Sequence, residues 1–369
     1  MSKKIDINYE NLKSYIQISE TPLDVIRTKV NKIDKILTGE IQPTFNQLST
    51  IARIINIPTG LLLLNKKINT ADVRINFRTI NSHIISDMSP ELRDTIAEIQ
   101  TKQDFLRSEV DDELDFIGSF SIKSSEKDVL DAVRSLLGEE LVKNRLSSYR
   151  EKMNNLGVFV FFNGKVKDNT HRNLNLKEFR GFVLTDKKAP IIFINQKDSK
   201  TGQLFTIIHE FVHLLFGHND LVENSNSYLK DPLETFVNKI TGEFLVPADS
   251  LKSLLIETAD YEEQLNRISN KFEVSPFVIA RRLLDLKYIS NIAYNEIIEK
   301  LEVEFEKISK INKKTSKGNY NHNLKFRMDK SFFKYVNNAV IQNKISQTDA
   351  MEIVGVKYKG YKILVEGIK

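Results

Sequence analysis

The sequence predicts an α+β chain that is mainly helical and contains one small β-sheet. Three observations lead to this prediction. Apolar residues recur at helical spacing through most of the 369 residues. Three short runs rich in Val, Ile and Phe, at 158–162, 181–184 and 191–194, interrupt the helical period. A long apolar segment follows at 204–216 and carries two histidines four residues apart.

The composition is that of an ordinary globular protein of two or three domains. Apolar residues make up 41% of the chain and charged residues 28%. No run of 18 apolar residues occurs, and no apolar stretch follows the N-terminal lysines, so we expect no membrane span and no secretory signal. The chain contains no cysteine, which excludes disulfides and thiolate metal sites. We therefore expect a cytoplasmic protein whose metal, if any, is held by His and carboxylate.

Residues 1–66 predict a helix-turn-helix domain. The first helix is expected at Tyr9–Ile18. The second is expected at 22–30, with Thr21 as its N-cap and Pro22 as its first residue, and the third at 31–37, with Asn31 as its N-cap. Thr44 is expected to cap a fourth helix, and Pro58 to start a last helical turn. Five short helices of this size are typical of a helix-turn-helix domain, and 31–37 takes the position of the recognition helix.

The expected recognition helix is only weakly basic. It offers Lys32 and Lys35, but Asp34 lies between them. Residues 1–70 contain ten Lys and Arg and six Asp and Glu. Reading of base edges favours Arg, Gln and Asn, so DNA binding and docking of a protein partner both stay open for this domain.

Residues 67–156 are interpreted as a linker followed by helices. An extended piece is expected at 73–78, and helices are expected at 90–110, 128–137 and 141–156. The three β-rich runs after them predict a small sheet with at least one hairpin, packed on the apolar histidine helix. Residues 180–184 and 191–195 are the candidates for a free edge to which an extended peptide adds as a strand.

The strongest chemical signal is the H-E-x-x-H pattern in the apolar segment. His209 and His213 lie one turn apart on the same face of a helix, a spacing that lets two imidazoles bind one Zn²⁺. Glu210 lies about 100° around the helix, within reach of a metal-bound water. A zinc site needs a third protein ligand, and Glu234 opens the next helix after a polar loop. Glu243, near the far end of that helix, is a weaker competitor.

These residues predict a gluzincin-like zinc peptidase domain at 157–290. In the predicted mechanism the metal lowers the pKa of a bound water toward ~7 and Glu210 takes its proton. Asn238, one turn after Glu234, is expected to orient a ligand imidazole. A further group is expected to stabilise the oxyanion, with His171, His218 and Tyr228 as candidates.

The C-terminal part is less informative. Two helices at 261–272 and 276–286 resemble a second helix-turn-helix pair, with Arg281 and Arg282 on the second helix. Residues 291–369 form a basic helical region of unknown role. From 307 onward this region contains 14 Lys and Arg and 4 Asp and Glu, which suits a solvated lysine-rich surface, contact with nucleic acid or an acidic partner.

Several stretches together resemble the ImmA/IrrE family of metallopeptidases, in the form that carries an Xre-type helix-turn-helix domain in front. The segments that carry the resemblance are Pro43-Thr44-Phe45-Asn46-Gln47-Leu48, Phe77-Arg78-Thr79, Asn169-Thr170-His171-Arg172, Glu178-Phe179-Arg180-Gly181-Phe182, the histidine helix, and Glu234 to Pro247. The resemblance covers about 40–290 and is most specific from 158 to 247.

The resemblance implies a zinc endopeptidase that cleaves a transcriptional repressor, often itself an Xre-type protein. It also implies a regulatory setting on a mobile element or in a stress response, in some cases beside a toxin partner. The alternative is a non-catalytic DNA- or protein-binding regulator or antitoxin with a structural or vestigial zinc site. The carboxylate of Glu210 argues for the enzyme, because a structural site has no need of it.

Overall fold

The computed structural model describes residues 4–5, 7–18, 22–55, 62, 88–138, 144–217, 232–256, 261–312 and 319–367. The chain divides into two compact units, residues 1–93 and 94–369, and each is described by itself. The described part is mainly helical with one three-stranded sheet, which confirms the predicted α+β class. Among the described helices, none has the length and apolar character needed to cross a membrane.

The N-terminal unit is built from short helices around one apolar core. Its described helices are α1 (Tyr9–Ile18), α2 (Leu23–Arg27), α3 (Ile33–Leu37) and α4 (Phe45–Ile54). The core is formed mainly by isoleucine and leucine side chains from all four helices, among them Leu12, Ile26, Ile33, Ile36, Leu48 and Ile51. Four short helices with a shared core agree with the size expected for a helix-turn-helix domain, an assignment that stays a prediction.

The helix ends of this unit agree with the sequence in part. Thr44 caps α4 as expected: its side chain accepts from the Gln47 N–H, and the Gln47 side chain accepts from the Thr44 N–H. Two expected starts are displaced, because Pro22 is the N-cap of α2 instead of its first residue, and Lys32 instead of Asn31 is the N-cap of α3. The expected cap Thr21, the turn from Pro58 (apart from Leu62) and the extended piece at 73–78 lie outside the described residues.

The second unit surrounds its sheet with helices. Its described helices are α5 (Pro90–Glu109), α6 (Glu126–Leu137), α7 (Arg145–Asn155), α8 (Lys200–Phe216), α9 (Pro232–Leu245), α10 (Ala248–Leu254), α11 (Tyr261–Phe272), α12 (Pro276–Asp285), α13 (Asn291–Asn312), α14 (Tyr320–Arg327), α15 (Lys330–Ile341), α16 (Gln347–Val354) and α17 (Tyr358–Glu366). The expected helices at 90–110 and 128–137 are therefore present to within two residues. The apolar face predicted for the first of them is buried as expected (Leu92, Ile96, Ile99, Gln103 and Leu106).

The sheet contains β1 (Phe159–Asn163), β2 (Gly181–Leu184) and β3 (Ile191–Asn195) in the order β1-β3-β2. β2 and β3 form the predicted antiparallel hairpin, and β1 runs parallel to β3. Because β3 is paired on both sides, the expectation that 191–195 forms a free edge is wrong. Hairpin pairing uses one side of β3, and the parallel strand β1 uses the other. β2 is an edge strand, as expected for 180–184.

Both faces of the sheet are covered. Val160, Ile192 and Val183 belong to the large core that also contains the apolar side chains of α8. The next row, Phe161, Phe193 and Phe182, faces the other way, since side chains alternate along a strand.

The C-terminal helices cover this second face, which was not foreseen for the region beyond 291. Phe332 of α15 contacts Phe161 edge-on at a ring distance of 5.2 Å. Buried polar contacts hold the connection from α14 to α15 against β1. Asp329 is fully buried and accepts from the Val160 N–H at 2.8 Å, and the Arg150 guanidinium donates to the Val160 and Met328 carbonyls. The C-terminal region is therefore part of the packing of the second unit.

Candidate metal centre

The histidine helix α8 is buried along most of its length, with 13 of its 17 residues inside. The Ser199 side chain caps its start by accepting from the Gly202 N–H. Its last carbonyls are satisfied from another segment, because the N–H groups of Gly118 and Phe120 donate to Leu214 and Leu215. Gly217 ends the helix in the left-handed conformation (φ +69°), where glycine is favoured.

This helix places two histidines together inside the protein. His209 and His213 are 3% and 1% exposed, and their Nε2 atoms lie 3.0 Å apart. Glu234 stands in the first turn of α9, which packs directly on α8. Its carboxylate oxygens lie 3.3 Å from His209 Nε2 and 3.0 Å from His213 Nε2. The structure therefore brings together the three residues that the sequence predicted as metal ligands.

The triangle of donor atoms fits a metal ion. Ligand bonds of 2.0–2.1 Å in a tetrahedral zinc site place neighbouring donor atoms about 3.3 Å apart. The two Nε2 atoms lie 3.0 Å apart, and each lies 3.0 or 3.3 Å from one of the two Glu234 oxygens, which is close to that value. Each of the three residues can offer one ligand atom, and these two nitrogens and one carboxylate oxygen lie within 4.8 Å of one another. Such a group could hold a metal.

The electrostatics of Glu234 favour its charged form. Burial raises the pKa of this carboxyl, but hydrogen bonds with His209 and His213, and the charges of those rings, outweigh burial and hold the pKa well below its usual range. An ionised carboxylate is the form that ligates a metal.

Glu210 lies at the point where α8 meets the edge strand β2. The side chain is 6% exposed. Gly181, the first residue of β2, leaves room for this approach: a Cβ built there would lie 3.3 Å from Glu210 Oε1 and 2.5 Å from the Thr206 methyl group. The carboxylate is therefore held between the ligand-bearing helix and the strand edge.

Glu243, the competitor for the third ligand position, has another role. It forms an ion pair with the buried Arg282 and accepts from the Ala248 N–H. Arg282 also donates to the Val246 carbonyl. Of the two arginines on the second helix of this pair, Arg282 is 3% exposed, whereas the side chain of Arg281 is 57% exposed. The periodicity of α12 places Arg282 in the core, where a carboxylate and a carbonyl satisfy it.

The other predicted site residues are not joined to the donor triangle. Asn238 is exposed, and its side chain makes no hydrogen bond with either imidazole. His171 lies in the loop after β1 with an exposed side chain, and its backbone N–H donates to Asn169. His218 and Tyr228 lie outside the described residues, so their roles as oxyanion stabilisers stay predictions, as does that of His171.

An ion pair at the start of α8 was missed by sequence reasoning. Asp198 is 7% exposed and binds Arg180, the residue before β2, at 2.7 Å. Gly202 in the first turn of α8 allows this carboxylate to lie against the helix, since a Cβ there would lie 2.5 Å from it. The pair joins the start of the edge strand to the start of the histidine helix. The signal in the sequence that could have indicated this pair is the Arg180-Gly181 dipeptide in segment 178–182, which carries the family resemblance.

The fold and the site together indicate a metallopeptidase. Residues 154–284, which include the sheet, α8 and α9, match the family Peptidase_M78, described as the IrrE N-terminal-like domain. This match supports the resemblance to the ImmA/IrrE family and points to a metal-dependent peptidase that acts on a protein substrate. A comparison with curated proteins finds no match.

Proposed function

We propose that this chain is a zinc-dependent endopeptidase. The observation that carries the proposal is the donor set of the buried His209 and His213 and the partly buried Glu234, with Glu210 next to His209 on the same helix. The peptidase family match over 154–284 supports it independently. Zinc is proposed because the donor set is nitrogen and carboxylate oxygen with three protein ligands, as in catalytic zinc sites.

When bound, the metal supplies Lewis-acid chemistry, by polarising a carbonyl and by lowering the pKa of water. The chain itself contributes position and proton transfer. His209, His213 and Glu234 hold the ion, and the Glu210 carboxylate accepts the proton of the attacking water and later passes it to the leaving amine.

The edge strand β2 is the proposed seat of the substrate. Its side away from β3 starts at Gly181, where the Glu210 carboxylate approaches the backbone. An extended peptide that adds along Gly181–Leu184 would use main-chain hydrogen bonds for affinity. Its scissile carbonyl would then pass close to the acid–base residue.

The proposed target is a helix-turn-helix transcriptional repressor, with the N-terminal unit as the recognition element. Lys32 and Lys35 of this unit are exposed. Asp34, between them, is bound by Arg27 at 2.8 Å, and Arg27 also binds Asp24. The negative charges of Asp34 and Asp24 weaken the attraction of this surface to the phosphates of DNA. We therefore favour a protein partner over DNA for this surface. A toxin partner stays a prediction of the family resemblance.

The second candidate function is a non-catalytic regulator or antitoxin, favoured by the exposed lysines of the N-terminal unit. One experiment separates the two functions. New protein N-termini are mapped across the proteome of cells that express the wild type or Glu210→Gln, with Glu243→Gln as a control from outside the donor triangle. We expect one new terminus inside a helix-turn-helix repressor with the wild type and the control, and none with Glu210→Gln.

Two results would contradict the peptidase. Equal cleavage by Glu210→Gln would remove the proposed acid–base role. Identical terminus maps for all three proteins, each with one equivalent of bound zinc and repeated under DNA damage, would favour the regulator.

A further inference from the structure

We propose that Arg180 is a specificity residue of the peptidase and binds an acidic side chain of the substrate, about three residues from the cleaved bond. This inference deepens the proposed function and rests on it. Arg180 stands directly before the edge strand β2 and forms an ion pair with Asp198, which lies just before the histidine helix α8. The pair therefore places a cation next to the strand that is the proposed seat of the substrate.

Asp198 is the buried anchor of the pair. Its side chain is 3% exposed. One carboxylate oxygen accepts from the Ser199 N–H at 2.7 Å, and the other accepts from Arg180 Nη1 at 2.7 Å. A buried carboxylate that loses its cationic partner is costly, so Asp198 holds the arginine at this position. The location of the guanidinium is therefore fixed by the fold.

Arg180 is the exposed member of the pair. Its side chain is 56% exposed, and the bond from Nη1 to Asp198 is its only side-chain hydrogen bond within the described part of the chain. A guanidinium offers five N–H donors in a planar fork, so most of them face solvent here. Arg27 of the N-terminal unit binds the carboxylates of Asp34 and Asp24 at the same time. Arg180 can likewise bind a second carboxylate and keep Asp198.

The two segments that carry the pair are positively charged. Segments 177–180 and 197–200 contain four cations and two carboxylates, a net charge of +2 (Lys177, Arg180, Lys197 and Lys200 with Glu178 and Asp198). All four cations are exposed, whereas Asp198 is buried. A substrate side chain that approaches from solvent therefore meets positive charge, which attracts Asp and Glu and repels Lys and Arg.

The hydrogen bonding of the hairpin leaves the side chain of Arg180 as its contact with a substrate. The Arg180 carbonyl accepts from the Asn195 N–H at 2.8 Å, so this main-chain group is used by the end of β3. The direction of main-chain groups alternates along an antiparallel strand, so Gly181 and Val183 turn theirs to the free edge. A peptide that adds there bonds to Gly181 and Val183 and meets the guanidinium at the end of the strand.

The spacing along α8 gives the distance from the metal ligands. The Asp198 carboxylate lies at Gly202, where an added Cβ would be 2.5 Å away from it. Gly202 is on the same face of the helix as His209 and about two turns before it, a separation of about 10 Å at ~1.5 Å per residue. An extended peptide rises about 3.3 Å per residue, so about three residues span this separation. The acidic residue is therefore expected two to four residues from the cleaved bond, on one fixed side.

The test starts from the cleavage site that the mapping of new N-termini identifies. A labelled synthetic peptide of about twelve residues across that site is the probe. It is titrated with the zinc-loaded full chain that carries Glu210→Gln, and fluorescence anisotropy gives the Kd without turnover. On this background Arg180→Gln should weaken binding about fivefold, and Arg180→Glu about tenfold or more, because a charge-assisted hydrogen bond is lost or replaced by repulsion.

Arg107→Gln is the matched control. Arg107 is 45% exposed and binds Asp186, in the turn between β2 and β3, at 2.7 Å, so it forms the same kind of pair at the other end of the hairpin. Its replacement should leave the Kd unchanged. A second peptide, with the acidic residue replaced by its amide, should bind about fivefold more weakly to protein with Arg180 and lose nothing further with Arg180→Gln. The two peptides decide the question on their own if Arg180→Gln does not fold.

Four outcomes would overturn the inference. These are a mapped site without Asp or Glu two to four residues from the cleaved bond, equal affinity for the acidic and the amide peptide, an equal loss of affinity with Arg107→Gln, and an equal loss for both peptides with Arg180→Gln. The last would show that the pair only holds the strand on the helix. Failure of the proposed function is recognised separately, because the wild type then produces no new terminus, and the inference falls with it.

Discussion

Substitution of Gly181 by alanine tests how closely the edge strand approaches the histidine helix. The added methyl carbon would lie 2.5 Å from the Thr206 methyl, 3.0 Å from the Phe193 carbonyl oxygen and 3.3 Å from Glu210 Oε1. Overpacking of this kind costs about 1–3 kcal/mol. Replacing a glycine also restricts the unfolded chain, which stabilises by about 0.4–1 kcal/mol. The cost of overpacking is larger than the stabilisation from restricting the unfolded chain, so we expect the free energy of unfolding to fall by about 1–2 kcal/mol.

The largest clash involves one methyl group, so a second substitution can remove it. Thr206→Ser deletes that methyl and keeps the hydroxyl that donates to the Gly202 carbonyl at 3.0 Å. Alone it should cost about 0.8 kcal/mol for the lost buried carbon. In the double variant the two effects should not add, and about 1 kcal/mol or more should be recovered. The contact with Phe193 stays, so recovery should be partial.

The assay is thermal unfolding followed by circular dichroism for the wild type, both single variants and the double variant. Zinc content is measured alongside and should stay at one equivalent, because the three atoms nearest to the new methyl carbon belong to Thr206, Phe193 and Glu210 and to none of the three proposed ligands. Additive effects of the two substitutions would refute the packing argument. So would a Gly181→Ala protein as stable as the wild type.

Three other predictions concern the metal, the acid stability and the N-terminal unit. Loss of a residue that hydrogen-bonds a metal ligand typically weakens metal binding by roughly 10–100-fold, and Glu234→Gln should weaken zinc binding by more than that. Glu243→Gln should leave the zinc Kd of the folded protein unchanged and lower the unfolding temperature. Equal zinc affinities of the two variants in competition titrations with a chelator would reject Glu234 as a ligand. Burial raises the pKa of Asp168, but its hydrogen bonds with Lys165 and Tyr320 outweigh burial and leave the pKa below its ordinary value. The stabilisation from this carboxylate is therefore complete above the unfolded pKa of about 4 and is lost as the pH falls through the lower folded value. Asp168→Asn should cost about 1–3 kcal/mol at pH 7, and the difference from the wild type should shrink below about pH 4 in acid titrations of stability; a difference that does not change with pH would contradict the assignment. Joint replacement of Lys32 and Lys35 by Met should weaken repressor binding in co-sedimentation and leave DNA mobility unchanged, and a salt-dependent loss of DNA binding would instead favour DNA contact.

Local sequence signals predicted the elements well where they were strong. Thr44 with Gln47 three residues later formed the expected cap, and the three β-rich runs became the three strands. The helix starts near Pro22 and Asn31 were displaced by one residue. Both signals are local preferences of a few tenths to about 1 kcal/mol, which the packing of short helices can override.

The polar contacts inside the second unit could not be predicted from spacing. Gln103 appeared only as a member of an apolar face. In the structure its amide donates to the Leu184 and Ala189 carbonyls, on either side of the β2–β3 turn, across more than 80 residues of sequence. The pairing of Arg282 with Glu243 spans 39 residues. Neither partner is visible in the periodicity of its own helix.

The sequence by itself determined the residue types and the spacing that a metal site needs. His209, Glu210 and His213 are on neighbouring positions of one helix, so helical geometry alone puts the two imidazoles on one face. Glu234 was predicted from the need for a third ligand, and its distance from the rings depended on how α9 packs on α8.

Tertiary structure alone decided which strand is the free edge, what Gly181 leaves room for, and what the C-terminal region covers. It also brought Arg327 of α14 to within 3.0 Å of Asp168 in the loop after β1. The physical reason is the same in each case. Helical and strand periods describe interactions over a few residues, whereas these features arise where segments distant in sequence compete to bury the same apolar surface and to satisfy the same polar groups.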